Sequence, residues 1–144
     1  MRTTREYIEQ HNIRGSQQRI AIMAYLQKHR THPTVDEIFN ALYPTLPTLS
    51  KTTIYNTLKL FEQKGAVHSI HVDEKTTRYD AWMDQHAHFH CIKCNTIVDI
   101  PLQKEEGNEP SDIMLNNEQL KKYTVIDTKI YLTGICPLCK TSEK

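Results

Sequence analysis

At 144 residues, with 38% apolar and 24% charged residues, the chain suits one domain or two very small ones and excludes a large single core. A formal net charge of +1 argues at face value against nucleic acid, but residues 1–72 carry nine Lys and Arg against five Asp and Glu, and residues 73–144 nine against twelve. No apolar run approaches the roughly 18–20 residues of a membrane span, and the polar start lacks a secretory core, so a cytoplasmic protein with no membrane partner is expected.

Residues 3–11 read as a polar first helix. Ser16 caps a second, with Ile20, Met23, Ala24 and Leu26 at helical spacing up to about His29. Thr34 and Glu37 form a capping box ahead of a third helix, whose stripe is Ile38, Phe39, Ala41 and Leu42. Pro44 and Pro47 close it. Ser50 caps a fourth, with Leu49 and Ile54 as a hydrophobic staple, Ile54, Leu58 and Phe61 as its stripe, and Gly65 at the left-handed C-terminal position. Ala66–Val72 and Thr76–Ala81 alternate and predict a β-hairpin. Helices followed by a hairpin predict a winged helix-turn-helix over residues 1–81, with the hairpin as its wing.

Residues 82–85 read as a hinge, and residues 86–144 as a second, metal-binding unit. His86–Ile92 and Thr96–Ile100 predict strands around a Cys-x-x-Cys turn. Residues 101–110 form an acidic loop. Ser111 caps a helix to about Lys122, carrying Ile113 and Leu120, and Tyr123–Thr133 predicts a strand with Ile126, Ile130 and Leu132 on one face. The whole is α+β: a winged helix-turn-helix, then a small α/β dimerisation domain with structural zinc. A unit of about 60 residues needs a metal, a disulfide or a partner subunit to hold together.

Four cysteines in an unsecreted chain favour metal or redox chemistry over disulfides. Cys91 and Cys94 form one pair, Cys136 and Cys139 another, with 41 residues between them. Each pair fits a turn that aims two thiolates at one ion, and two turns complete the sulfur tetrahedron of structural Zn(II). Two local redox pairs are the alternative. His86, His88 and His90 alternate along a strand and share a face; Asp99 lies on the next strand and Asp80 ends the wing. Imidazoles with carboxylates suit Fe(II), Mn(II) or Zn(II), and the oxygen share leans to iron or manganese. Spacing alone leaves open which histidines are ligands.

On the fourth helix the apolar stripe leaves Lys51, Thr52, Tyr55, Asn56 and Lys59 opposite, a set able to reach phosphates and base edges. Asn56 suits adenine and Tyr55 a thymine methyl. Arg14, Arg19 and Lys75 are candidate phosphate contacts. A small reader gains specificity by dimerising on a pseudo-palindrome, with the C-terminal strands as the dimer surface.

Four stretches together resemble the ferric uptake regulator (Fur) family: Ser16-Gln-Gln-Arg19, His32-Pro-Thr-Val-Asp-Glu-Ile38, Ser50-Lys-Thr-Thr-Ile-Tyr-Asn-Thr-Leu58 and His86-Ala-His-Phe-His-Cys-Ile-Lys-Cys94. Cys136-Pro-Leu-Cys139 also matches, so the resemblance spans nearly the whole chain. It implies a homodimeric, metal-responsive repressor of operator DNA, with no small-molecule substrate and no enzymatic turnover. Its regulatory metal site falls on His32, Asp80, His86, His88 and Asp99, and its structural zinc on Cys91, Cys94, Cys136 and Cys139. His90 matches no family ligand.

Both carboxylates are aspartates, as in the family's peroxide-sensing PerR branch. There Fe(II) reacts with hydrogen peroxide and oxidises histidine ligands, here matching His32 and His86. An iron- or zinc-level sensor without peroxide chemistry is the alternative; a mononuclear metal hydrolase or oxygenase is the remote one. Gln85, Ala87, Asp127 and Thr128 stand where ligands of an additional family metal site are common, so that site is expected to be missing or weak. Gly15 replaces a branched residue before Ser16, which is expected to loosen the start of the second helix.

Overall fold

A computed structural model of the chain describes residues 1–71, 74–102 and 118–141. Its contacts divide the chain into two units, Met1–Met83 and Asp84–Lys144. No helix among the described residues is long and apolar enough to cross a membrane.

All four helices of the first unit start on a hydroxyl side chain. They are α1 (Thr4–Gln10), α2 (Gln17–Lys28), α3 (Val35–Leu42) and α4 (Lys51–Gln63), capped by Thr3, Ser16, Thr34 and Ser50. Each cap oxygen accepts from the third helical N–H, satisfying a donor that the helix itself leaves open. The predicted box at Thr34 and Glu37 is present, and Thr3 with Glu6 forms another. Ile38, Ile54, Leu58 and Phe61 are fully buried, together with Ile8, Ile22 and Met23. Leu49 and Ile54, the expected staple, both lie in this core. Ile22 was not among the predicted stripe residues, and Ala41 is exposed.

α4 stops at a left-handed glycine. Gly65 has φ 71°, its N–H donates to the Glu62 carbonyl, and the Ala66 N–H donates to Phe61. These two bonds close the last turn as a Schellman motif and bury Ala66. The chain then enters β1 (His68–His71), paired antiparallel with β2 (Thr77–Asp80). This hairpin is shorter than expected at both ends; Val72 and Asp73 lie outside the described residues.

The second unit is a three-stranded sheet of order β4-β3-β5, with β3 at His86–Cys91, β4 at Ile97–Pro101 and β5 at Ile130–Gly134. β4 runs antiparallel to β3 and β5 parallel to it. The expected strand over Tyr123–Thr133 is corrected: only its last part is strand. β3 supplies the ladder and begins at His86, so pairing Ala87 with Ile130 leaves no partner for residues much before 130. Ile126, expected on one face of the strand with Ile130 and Leu132, is 95% exposed. Most of the predicted Ser111 helix and the 101–110 loop lies outside the described residues; the helix's expected end is a 3₁₀ turn, Leu120–Lys122. A short helix α5 (Pro137–Thr141), unforeseen in the sequence, follows β5 and carries Cys139.

Gly65 tests the local account. A Cβ there meets nothing within 4 Å, so the cost of Gly65→Ala is backbone strain alone. We expect a loss of about 1 kcal/mol on denaturant unfolding, with Gly65→Asn costing less.

Candidate metal centres and nucleic-acid face

The sulfur cluster sits where three short backbone segments meet. Cys91 ends β3; after it, the Asn95 N–H returns to the Cys91 carbonyl and Asn95 takes φ 59°. Asparagine tolerates that left-handed conformation, and the turn brings Cys94 back. Cys136 and Cys139 flank the start of α5. The four Sγ atoms lie within 4.8 Å of one another, and Cys94 and Cys136 are 3.7 Å apart. Tetrahedral Zn–S bonds of about 2.3 Å require sulfurs about 3.8 Å apart. The residues fit zinc.

The thiols differ in acidity. The Cys136 N–H, 3.3 Å from Cys91 Sγ, and then the Cys94 N–H pull the Cys91 thiol down to about 6. The Thr96 hydroxyl, 3.1 Å from Cys94 Sγ, lowers Cys94 as well. Cys139, against the Cys136 thiol, is pushed up to about 12. Four neighbouring thiolates repel, and a dication is what lets all four ionise together.

Among the histidines, His86 and His88 turn their Nε2 atoms to each other at 3.0 Å, and each lies 3.4 Å from Asp99 Oδ1. Strand alternation puts both rings on one face, and cross-strand register sets Asp99 directly opposite His88. His86 Nδ1 is 2.6 Å from the Asp84 carbonyl. A carbonyl only accepts, so Nδ1 carries the proton and Nε2 keeps its lone pair for a ligand. Donors 3.0 Å apart, at bonds of about 2.1 Å, subtend near a right angle at an ion. His88 also stacks on Tyr131 of β5, its parallel cross-strand neighbour, at 5.8 Å and 27°. His90 shares the histidine face but sits by Asn95, Nε2 to Oδ1 3.2 Å.

His32 and Asp80 belong to the first unit. Both are buried, with Nε2 3.9 Å from Oδ2. His32 has φ 55°, a left-handed backbone that costs a non-glycine residue about 1–2 kcal/mol. Bonds from β2 hold the turn: Arg78 donates to the His32 carbonyl at 3.0 Å, and the Tyr79 N–H to the Pro33 carbonyl at 3.1 Å. The Trp82 N–H fixes Asp80 Oδ1 at 2.8 Å, and Arg30 lies over the Trp82 ring at 5.1 Å. Sequence spacing missed these supports. Asp84, Thr96, Arg78, Trp82 and Tyr131 are recognisable only once the strands are paired.

On α4, Lys51, Thr52, Tyr55, Asn56 and Lys59 are all exposed, and Ile54, Thr57, Leu58 and Phe61 face inward. A cleft of about 470 Å³ opens between Arg14, Gln18 and Arg19 on one side and Thr53, Asn56 and Thr57 on the other. Arg19 is braced by its bond to the Arg14 carbonyl, 2.9 Å. Lys51 is engaged at home, 3.1 Å from Asp36 and over the Phe39 ring, in a surface pair worth little. Gly15 packs against α1: a Cβ there would stand 2.9 Å from the Arg5 guanidinium.

Residues 10–128 match the model of the ferric uptake regulator family. The peroxide-responsive repressor PerR of Staphylococcus aureus is 34% identical over 133 residues, 92% of this chain and 86% of that protein. Among solved structures, the Helicobacter pylori ferric uptake regulator, a protein with three functional metal-binding sites, shares the fold. Its TM-score is 0.70 at 22% identity, covering 97% of this chain and 91% of that one. PerR from Streptococcus pyogenes, a regulator that senses peroxide, aligns with TM-score 0.50 and 30% identity over 93% and 88% of the two chains. With the family model covering most of its length, the chain belongs to the ferric uptake regulator family.

Proposed function

We propose that the chain is a cytoplasmic repressor that binds pseudo-palindromic double-stranded operator DNA as a homodimer, that its regulatory site takes Fe(II) or Mn(II), and that hydrogen peroxide relieves repression by oxidising histidines when the site holds Fe(II). The observation that carries this reading is the convergence of His86 Nε2 and His88 Nε2, 3.0 Å apart, on an aspartate. Structural Zn(II) belongs to Cys91, Cys94, Cys136 and Cys139. The regulatory ion draws on His32 and Asp80 from the first unit and on His86, His88 and Asp99 from the second. Either set alone is short of the coordination that iron or manganese prefers. An ion needing both restrains the hinge at residues 82–85, and with it the spacing of the two α4 helices in a dimer. Driving such an equilibrium from 1:99 to 99:1 takes about 5.5 kcal/mol of differential binding.

Bound Fe(II) supplies the electrons that reduce peroxide beside its own ligands. The chain's part is to present donors that can be lost. His86 offers only Nε2, because its Nδ1 proton is committed to Asp84. Oxidation of the His86 ring therefore removes a ligand with no second nitrogen in position to replace it, and the hinge is released; His32 is the other expected target.

DNA reading falls to the exposed face of α4, with Asn56 suited to adenine and Tyr55 to a thymine methyl. Arg14, Arg19, Lys51, Thr52 and Lys59 supply phosphate contacts. Dimerisation is supported by the sheet face opposite the histidines. Val98, Ile100 and Leu132 alternate away from Asp99, His88 and Tyr131, and are 42%, 39% and 45% exposed. An apolar patch of that kind is what a second copy covers.

Three outcomes are expected. The double variant His86→Ala/Asp99→Ala binds operator DNA roughly 5–150-fold more weakly than the metal-loaded parent in a fluorescence-anisotropy titration. If, without metal, it binds as tightly as that parent, the ion is not the switch. Fe(II)-loaded protein treated with peroxide gains one oxygen on the peptides holding His32 or His86 by mass spectrometry. Unmodified peptides with metal-dependent DNA binding retained would assign iron- or zinc-level sensing instead. Pairing Val98→Asp with Leu132→Asp halves the mass seen by light scattering and abolishes operator binding, with the zinc content kept.

A further inference from the structure

One aromatic side chain, Tyr131, lies beside the histidine donors. β4, β3 and β5 align Asp99, His88 and Tyr131 as one rung across the sheet, and alternation sets all three on the same face. The Tyr131 ring is stacked on the His88 imidazole, centroids 5.8 Å apart and planes 27° from parallel. On the far side of His88, Nε2 lies 3.4 Å from Asp99 Oδ1. Tyr131 is 47% exposed, so peroxide in solution reaches it. A phenol ring is electron-rich at the carbons next to its hydroxyl, which makes it a competitor of imidazole for any oxidant produced at His88.

We propose that Tyr131 is a second modification site, hydroxylated next to its phenol oxygen when peroxide is reduced at the iron-loaded His86, His88 and Asp99 donors. This rests on the peroxide reading of those donors. In the net step the ring C–H and the peroxide O–O bond break, and a ring C–O bond forms. The other peroxide oxygen leaves as water, and two electrons pass from the ring to peroxide. The product is a catechol at residue 131.

Tyr123 serves as an internal control. It is 70% exposed, more than Tyr131. An oxidant diffusing in bulk solvent would modify Tyr123 at least as much, whereas one generated at the donors favours Tyr131.

The test loads the full-length protein with Fe(II), adds hydrogen peroxide, alkylates the thiols and locates the added oxygen by fragment-ion mass spectrometry of the tryptic peptide Ile130–Lys140. The expected result is oxygen on Tyr131 severalfold above Tyr123, with a positive redox-cycling stain for catechol. Both signals vanish in Tyr131→Leu, and in the parent loaded with Mn(II) or treated with chelator, which needs no variant to fold. Oxygen on His32 or His86 with Tyr131 untouched overturns the proposal and leaves peroxide sensing standing. Equal oxygen on Tyr123 and Tyr131 also overturns it, as damage from bulk solvent. No added oxygen on any residue overturns this inference and the peroxide reading together.

Discussion

The alternation of side chains along β3 is the constraint on which both candidate metal centres depend. His86, His88 and His90 fall on one face of the strand, and Ala87, Phe89 and Cys91 on the other. The first face meets Asp99 and Tyr131; the second meets Val98, Ile100, Ile130 and Leu132. A slip of one residue would exchange the faces, turning imidazoles into the apolar side and aiming the Cys91 sulfur away from Cys136.

The sulfur cluster is placed to prevent that slip. Cys91 is the last residue of β3, its N–H donates to the Thr96 carbonyl, and the Ile92 N–H donates to Gly134 at the end of β5. A closed zinc site there ties the ends of all three strands to one point. Gly134 suits the position, because a Cβ would stand 3.3 Å from the Phe89 ring. Zinc bound there would act at a distance on the histidine donors, by fixing the ladder that sets Asp99 opposite His88. In the first unit the comparable device is backbone strain. A histidine, not an asparagine or glycine, occupies a left-handed position at residue 32, and bonds from Arg78 and Tyr79 hold it there. Strain kept at a residue the fold does not otherwise need in that form points to function.

The legible parts of the sequence are those governed by short-range chemistry. Caps at Ser16, Thr34 and Ser50, the Gly65 stop, the Cys-x-x-Cys pairs and the alternating histidines are written within a few residues of where they act. The illegible parts depend on partners far away in sequence. Tyr123–Thr133 has β-branched content throughout, yet strand forms only where β3 offers a ladder. Composition is blind to that limit. Tyr131 likewise reads as an ordinary strand tyrosine until a parallel pairing across more than forty residues sets it on His88. Net charge misleads for the same reason: the near-neutral total averages a basic half with an acidic one.

The aspartates illustrate how a choice that is coarse in sequence becomes sharp in geometry. One methylene separates aspartate from glutamate, and composition gives no reason to prefer either. In the sheet, Asp99 faces His88 directly across an antiparallel pair, where Cβ atoms stand about 5 Å apart. A one-carbon side chain brings its oxygen within 3.4 Å of both Nε2 atoms; a longer one must fold back on itself to do the same. At residue 80 the constraint is different. Asp80 Oδ1 accepts from the N–H two residues on, a turn that aspartate closes and glutamate overshoots, and this leaves Oδ2 turned to His32. Both carboxylates are therefore short for reasons internal to the fold. The donor set that the peroxide-sensing reading invokes is one that strand register places at residue 99 and a tight turn places at residue 80.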